Sequence, residues 1–174
     1  MDSEKKSFSI PFTPKETNYY PGEATLSIVV GLALTTHDLK LKEIQFVSEI
    51  APDLPMVRCD FRQIQQVLLN LISNASEAME GGGVLSISAK LSKKNGFLEI
   101  TISDTGCGIS EEDQKDIFEP FFTTKAEGRG IGLGLSVVYG IITNHNGSIE
   151  VESEVGKGSV FKVLLPIEEQ SNSA

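Results

Sequence analysis

The stretch from Asp60 to Met79 constrains the fold more than any other. At about 100° per residue, Phe61, Ile64, Val67, Leu68, Leu71, Ile72 and Ala75 form one apolar arc. Asp60 is placed to cap this helix, with Gln63 positioned for a capping-box-like return. "EGGG" then stops it. A helix apolar on one side must bury that side against another element. The partner follows directly in the chain. "VLSISAK" (84–90) and "FLEITISD" (97–104) both read as strands, joined through a turn at "KNG". The second alternates cleanly, with Leu98, Ile100 and Ile102 on one face and Glu99, Thr101 and Ser103 on the other.

The remaining elements extend this pattern. A helix is expected over about 24–42 and a short strand over 43–50, with a loop through "APDLPMVRC". A short capped helix starts at Ser110. Another runs from Leu133 to about Asn146 and ends at Gly147. "SIEVESE" and "SVFKVLLP", joined by "VGKG", read as a closing hairpin. The expected fold class is α+β: a two-layer sandwich in which helices pack on one face of a mixed sheet. One domain is expected over 23–167. Polar, proline-containing residues 1–22 read as a flexible tail or linker, and 168–174 as a frayed end.

Charge and composition exclude several classes. A formal net charge of -9 disfavours a general nucleic-acid binder. The two cysteines, Cys59 and Cys107, have no metal-like or redox-like spacing, so a reducing compartment is the default. The apolar run Ala24–Thr36 is shorter than the roughly 20 residues of a membrane span. It follows an acidic start, unlike a signal peptide, and reads as a buried or partner-facing helix.

Asparagine is a mediocre helix former, because its amide competes with the backbone for hydrogen bonds. Yet Asn70 and Asn74 stand one turn apart and, with Glu77, lie within about 60° of each other on an arc other than the apolar one. Such a line is either a solvated polar face or a set of hard oxygen ligands of the kind Mg²⁺ prefers. Two glycine-rich stretches weigh on that choice. "SDTGCGI" (Ser103–Ile109) delivers Asp104 at a strand end, where a carboxylate can accept from an exocyclic amine such as adenine's. An ordinary Asx-turn would look the same. "GRGIGLGLS" (Gly128–Ser136) places Gly130, Gly132 and Gly134 before a helix, where unhindered amides form an anion site. It is neither a Walker loop nor a Rossmann fingerprint.

Taken together and in order, these motifs resemble the catalytic ATP-binding domain of sensor histidine kinases. That domain belongs to the wider superfamily shared with DNA gyrase, MutL and the heat-shock chaperone ATPases. "QQVLLNLISNASEAM" is similar to the N box and "DTGCGI" to the first glycine box. "FEPFFTTK" (Phe118–Lys125) is similar to the F box, "GIGLGLS" to the second glycine box and "GKGSVF" (Gly156–Phe161) to the last. The likeness spans about residues 24–167 and implies a Bergerat-type fold that binds ATP and Mg²⁺. It implies that Asn74 holds the metal, with Asn70 helping at metal or phosphates. Asp104 would accept the adenine amine, with Gly106, Gly108, Ile109, Ala78 and Ser159 around the base. Gly130, Gly132 and Gly134 and the amides of Leu133 and Leu135 would cradle phosphates. About 118–130 would form a mobile lid, in which Lys125 and Arg129 are candidates for neutralising the γ-phosphate or are solvated loop charges. Phe118, Phe121 and Phe122 would give the lid apolar packing. Where many family members carry Lys, this chain has Glu77, so no direct phosphate contact is expected there.

The chaperone ATPases carry a Glu where this chain has Asn70, and an amide cannot take a proton from water. The resemblance therefore implies a protein histidine kinase that holds and aims ATP while a separate dimerisation and phosphoacceptor domain supplies the histidine. A response regulator would act downstream. His37 lies too close to Asn70 for a two-helix phosphoacceptor hairpin and reads as an ordinary residue of the first helix. His145 reads as a capping or surface residue. The chain is expected to be an ATP-binding half, monomeric when isolated, without membrane contact of its own. It is expected to be cytoplasmic whether or not a full-length parent is membrane-anchored. The competing readings are an ATP-hydrolysing clamp, a serine kinase of the anti-sigma type and a non-catalytic nucleotide-binding or interaction module.

Overall fold

A computed structural model describes residues 43–52, 54, 57–94, 96–124 and 131–167. The expected tail 1–22, the helix over 24–42 with His37, the C-terminal residues 168–174, and Lys125, Arg129 and Gly130 lie outside the described residues. Among the described residues, five strands form one sheet in the order β1-β2-β3-β5-β4. They are β1 (Ile44–Ile50), β2 (Gly83–Leu91), β3 (Phe97–Asp104), β4 (Ser148–Glu154) and β5 (Gly158–Pro166). β1 runs parallel to β2, because α1 (Phe61–Ala78) crosses over between them. The other pairings are antiparallel. The sheet is mixed, as expected.

Both described α-helices, α1 and α2 (Gly134–Asn144), contribute to one core with the sheet. The apolar arc of α1 is that core: Ile64, Val67, Leu68, Leu71, Ile72 and Ala75 are buried, and Phe61 is half-buried. They meet Leu98, Ile100 and Ile102 of β3 and Phe161, Val163 and Leu165 of β5. Burial of each large aliphatic side chain stabilises the fold by roughly 1.5–3 kcal/mol.

The helix ends show how local chemistry sets the boundaries. The Asp60 carboxylate accepts from the amides of Arg62 and Gln63, at 2.9 and 3.2 Å, and so caps α1. The Gln63 side chain donates to the Asp60 carboxylate rather than closing a capping box on its amide. That amide donates instead to Nε2 of His145, at 3.0 Å. At the end of α2, Asn146 takes the left-handed position (φ 55°). The amides of Asn146 and Gly147 return to Thr143 and Ile142, a Schellman arrangement. The helix thus stops at Asn144, two residues earlier than expected. Gly147 is needed for close approach, since a Cβ there would sit 2.3 Å from the Leu164 carbonyl oxygen. The short helix expected from Ser110 is a single 3₁₀ turn (Asp113–Lys115), capped by the Ser110 hydroxyl on the Asp113 amide. Pro120 lies just beyond it, and proline disfavours helical backbone in the residue before.

Candidate functional site

The C-terminal half of α1, the turn after β3 and the N-terminal end of α2 enclose a cleft of about 810 Å³. Asn74 and Ala78 line it from α1, and Asp104, Gly108 and Ile109 from the end of β3 and its turn. Gly132, Leu133, Gly134 and Leu135 line the α2 side, with Ser159 from β5. Residues the sequence did not single out also line it: Ile117 and Phe161 give it an apolar wall, and Glu80 and Cys107 stand at it. Glu77 lines the cleft too. Asn70 and Gly106 do not.

Asp104 is 5% exposed, a rare degree of burial for a carboxylate. Burial pushes its carboxyl above the usual carboxylate range, and hydrogen bonds from the backbone of Gly106 and Ser159 pull it partly back. The Gly106 amide donates to Oδ1 at 2.8 Å. This is the Asx-turn that the sequence left open, here built at the floor of a cleft. Gly106 has a structural reason to be glycine, because a Cβ there would meet the Ala78 carbonyl oxygen at 2.6 Å. That carbonyl, at the end of α1, accepts from the Cys107 amide at 3.0 Å. The turn is thereby fastened to the helix that carries Asn74.

A polar network beneath the turn has no motif that would have disclosed it. The Ser153 hydroxyl accepts from the Ile109 amide at 2.8 Å and lies 2.9 Å from the Gly158 carbonyl and 3.0 Å from the Ser159 hydroxyl. The Gln114 side-chain amide donates to the carbonyls of Ile109 and Ser153. Gly108 takes φ 71°, and a Cβ there would lie 2.1 Å from the Glu154 carbonyl oxygen. Thr105 accepts from the Val84 amide and holds the other flank of the turn against β2. Ser153 is distant in sequence from Ile109 and Gln114, and the tertiary fold brings it to them.

On the opposite side, Gly132 takes φ 70° and its carbonyl accepts from the Phe121 amide at 2.9 Å. A Cβ on Gly132 would strike the backbone of Phe121 and Phe122 at 2.5 Å. The two motifs that flank residues 125–130 thus pack backbone to backbone. Phe118 and Phe122 pack against the core as expected, and Phe118 also meets Tyr139, with ring centroids 5.7 Å apart. Phe121 corrects the expectation. It is 71% exposed, because its left-handed backbone (φ 70°) turns the side chain away from the core that its neighbours enter.

The first turn of α2 has no described side-chain cap. Its N-cap is Leu133, which has no polar atom to offer. Among the described residues no side chain caps this turn, and its residues Leu133, Gly134 and Leu135 line the cleft, so the positive end of the helix dipole adjoins it, an arrangement that favours an anion. Among the described lining residues none is Lys or Arg. Charge brought by an anionic ligand would be met there by backbone amides and by any cation bound with it. Asn74 offers an amide oxygen at the cleft wall, a hard donor suited to Mg²⁺ held mainly by phosphates and water. Among the described residues no cluster of three or more His, Cys, Asp or Glu could hold a metal alone.

Comparison with solved structures identifies this architecture. The catalytic domain of histidine kinase ThkA matches with a TM-score of 0.73 at 32% identity, over 83% of this chain and 95% of that one. Full-length ShkA in complex with AMPPNP matches with a TM-score of 0.75 at 25% identity, over 88% of this chain and 32% of that one. Among curated sequences, sporulation kinase E of Bacillus subtilis (strain 168) is 36% identical over 98% of this chain and 23% of its own length. Sensor histidine kinase ZraS of Escherichia coli (strain K12) is 42% identical over 79% of this chain and 29% of its own length. The chain thus spans less than a third of either relative. The class is that of histidine-kinase catalytic domains. Residues 59–169 match the family described as histidine kinase-, DNA gyrase B-, and HSP90-like ATPase, and the chain belongs to that family.

Proposed function

We propose that this domain binds Mg-ATP in the cleft and presents its γ-phosphoryl group to a histidine on a separate dimerisation and phosphoacceptor domain, with a response regulator downstream. The observation that carries the reading is the pairing of two features across one cleft. A buried carboxylate, Asp104, stands at one side, and the uncapped N-terminus of α2 stands at the other. The first suits an exocyclic amine and the second suits phosphates. Asn74 would hold Mg²⁺, whose contribution when bound is to offset phosphate charge. Gly108, Ile109, Ala78 and Ser159 would enclose the base. Leu133, Gly134 and Leu135 would offer their amides. Lys125, Arg129 and Gly130, outside the described residues, are proposed to approach the phosphates from the lid.

Phosphoryl transfer needs positioning and charge stabilisation more than a built-in base. That favours a kinase over a hydrolytic clamp here. The amide of Asn70 cannot take a proton and is engaged by Gly134 and Gln66. No histidine lines the cleft among the described residues. The one described histidine, His145, is held between Ile141 and Asp60. The acceptor is proposed to stand on another domain, and the isolated chain is proposed to be a monomer that does not label itself. Dependence on ATP supports a cytoplasmic location for the domain. Among the described residues no helix is long and apolar enough to cross a membrane.

Calorimetry with Mg-ATP tests the reading. Saturable binding by the wild type, lost in Asp104→Asn, supports the base pocket. No binding by the wild type overturns it. An acid-labile, base-stable phosphate on an added acceptor domain separates a histidine kinase from a serine kinase.

A further inference from the structure

Asn70 and Asn74 stand one turn apart on the same helix, yet their amides do different things. Asn74 faces the cleft. Asn70 is half-buried, and both ends of its amide are engaged elsewhere. Its Nδ2 donates to the carbonyl of Gly134 at 3.2 Å. Its Oδ1 accepts from Nε2 of Gln66 at 3.1 Å, and the Gly134 carbonyl, which can only accept, fixes which way the amide points. Gly134 is the first residue of α2, at the end that lines the cleft.

A second bond ties the start of α1 to the far end of α2. The Asp60 amide, at the start of α1, donates to Nε2 of His145, just past the end of α2. His145 keeps Nε2 as an acceptor by engaging Nδ1 with the Ile141 carbonyl at 2.8 Å. The helices therefore run antiparallel, with a polar tie at each end of α2. Apolar ridge-into-groove packing sets the crossing angle of two helices only to within about 15–20°. A directional bond at each end of α2 narrows that range.

We propose that Asn70 is a positioning residue. It latches α1 to the first residue of α2 through the Gly134 carbonyl, and so sets the phosphate-binding amides at a fixed height against Asn74. It touches neither nucleotide nor metal. The inference rests on the Mg-ATP reading of the cleft.

The test uses Asn70→Leu, Asn70→Asp and Gln66→Leu in the same domain. Asp keeps an oxygen that a metal could use but loses the N–H that the latch needs. Amide hydrogen exchange is followed at Val137 and Val138 in the nucleotide-free protein, and binding of Mg-ATP and of adenosine is measured by calorimetry. One net hydrogen bond corresponds to roughly a fivefold change. Both Asn70 variants are expected to speed exchange at the first turn of α2 by about that factor before any ligand is added. Mg-ATP affinity should fall by a similar factor while adenosine affinity stays unchanged. Gln66→Leu, which removes only the second bond to the Asn70 amide, should act in the same direction by about twofold. It carries the test if the Asn70 variants do not fold.

Weaker Mg-ATP binding with unchanged exchange would mean that Asn70 touches the ligand itself, and would overturn the latch. Faster exchange with unchanged Mg-ATP affinity would overturn it too, leaving an ordinary structural bond. No change in either overturns it alone, provided the wild type binds. A wild type that does not bind Mg-ATP overturns the functional reading, and this proposal with it.

Discussion

At the scale of single residues, Asp104 sets stability against function. Its carboxyl is pushed up by burial, so its folded-state value lies above its unfolded one. A carboxyl raised in this way costs stability when ionised. The cost is relieved as pH falls through the folded value toward the unfolded one. Asp104→Asn removes the ionisation. The stability of the variant relative to the wild type should therefore be greatest near neutral pH and should shrink as pH falls from 7 toward 4. Denaturant titrations at several pH values would show this, and a difference independent of pH would refute the assignment. The glycines make a second residue-scale point. Gly132→Ala would add backbone strain at φ 70° to a clash with Phe121 and Phe122. The expected result is a loss of about 1–3 kcal/mol in unfolding free energy, with Mg-ATP binding weakened more than adenosine binding.

At the scale of elements, helix ends carry the specificity. Asp60 serves α1 twice, through its carboxylate on the first-turn amides and through its own amide on His145. Asp60→Ala should lower stability by about 1 kcal/mol, the usual worth of an N-cap. It should shift the urea midpoint without changing the slope. The amide bond to His145 survives that substitution, because backbone makes it. His145→Phe should break it while preserving the ring, and the loss should add to that of Asp60→Ala only in part, because the groups adjoin. Among the described helices, α2 is the complement of α1. Its end is closed by Asn146 and Gly147, whereas its start has no described side-chain cap. An uncapped start normally weakens a helix, so its exposure toward the cleft reads as a site held open for an anion.

At the scale of the whole molecule, the cleft and the core share α1. The buried side of that helix rests on the sheet, and another side carries Asn74 and Ala78 to the cleft. Leu71 is fully buried in the middle of this support. Leu71→Ala should cost 2–5 kcal/mol, about as much as other deletions of buried leucine. Mg-ATP at about a hundred times its dissociation constant should restore about 2.7 kcal/mol, through linkage to the folded state alone. Thermal melts with and without nucleotide check this. A Leu71→Ala protein that nucleotide fails to stabilise, although the wild type is stabilised, would show that the core change has reached the cleft.

Periodicity and turn chemistry are local, and they were legible. The apolar arc of α1, the alternation of β3, the Asp60 cap and the glycine stops all follow from a few neighbouring residues. So does the mixed sheet with helices against it, since those patterns leave few ways to bury the apolar faces. Motif order made most of the cleft wall legible as well, including Asn74, Asp104 and the α2 glycines. What depends on contacts between distant residues was not legible. The hairpin of β4 and β5 brings Ser153 under the Ile109 turn. The left-handed backbone of Phe121 exposes a ring that its motif would bury. The antiparallel pairing of α1 with α2 hands the Asn70 amide to Gly134 and the Asp60 amide to His145. A hydrogen bond has a direction and a range of about 3 Å. No pattern along the chain specifies which distant carbonyl will stand at that distance. Only the packed structure decides it.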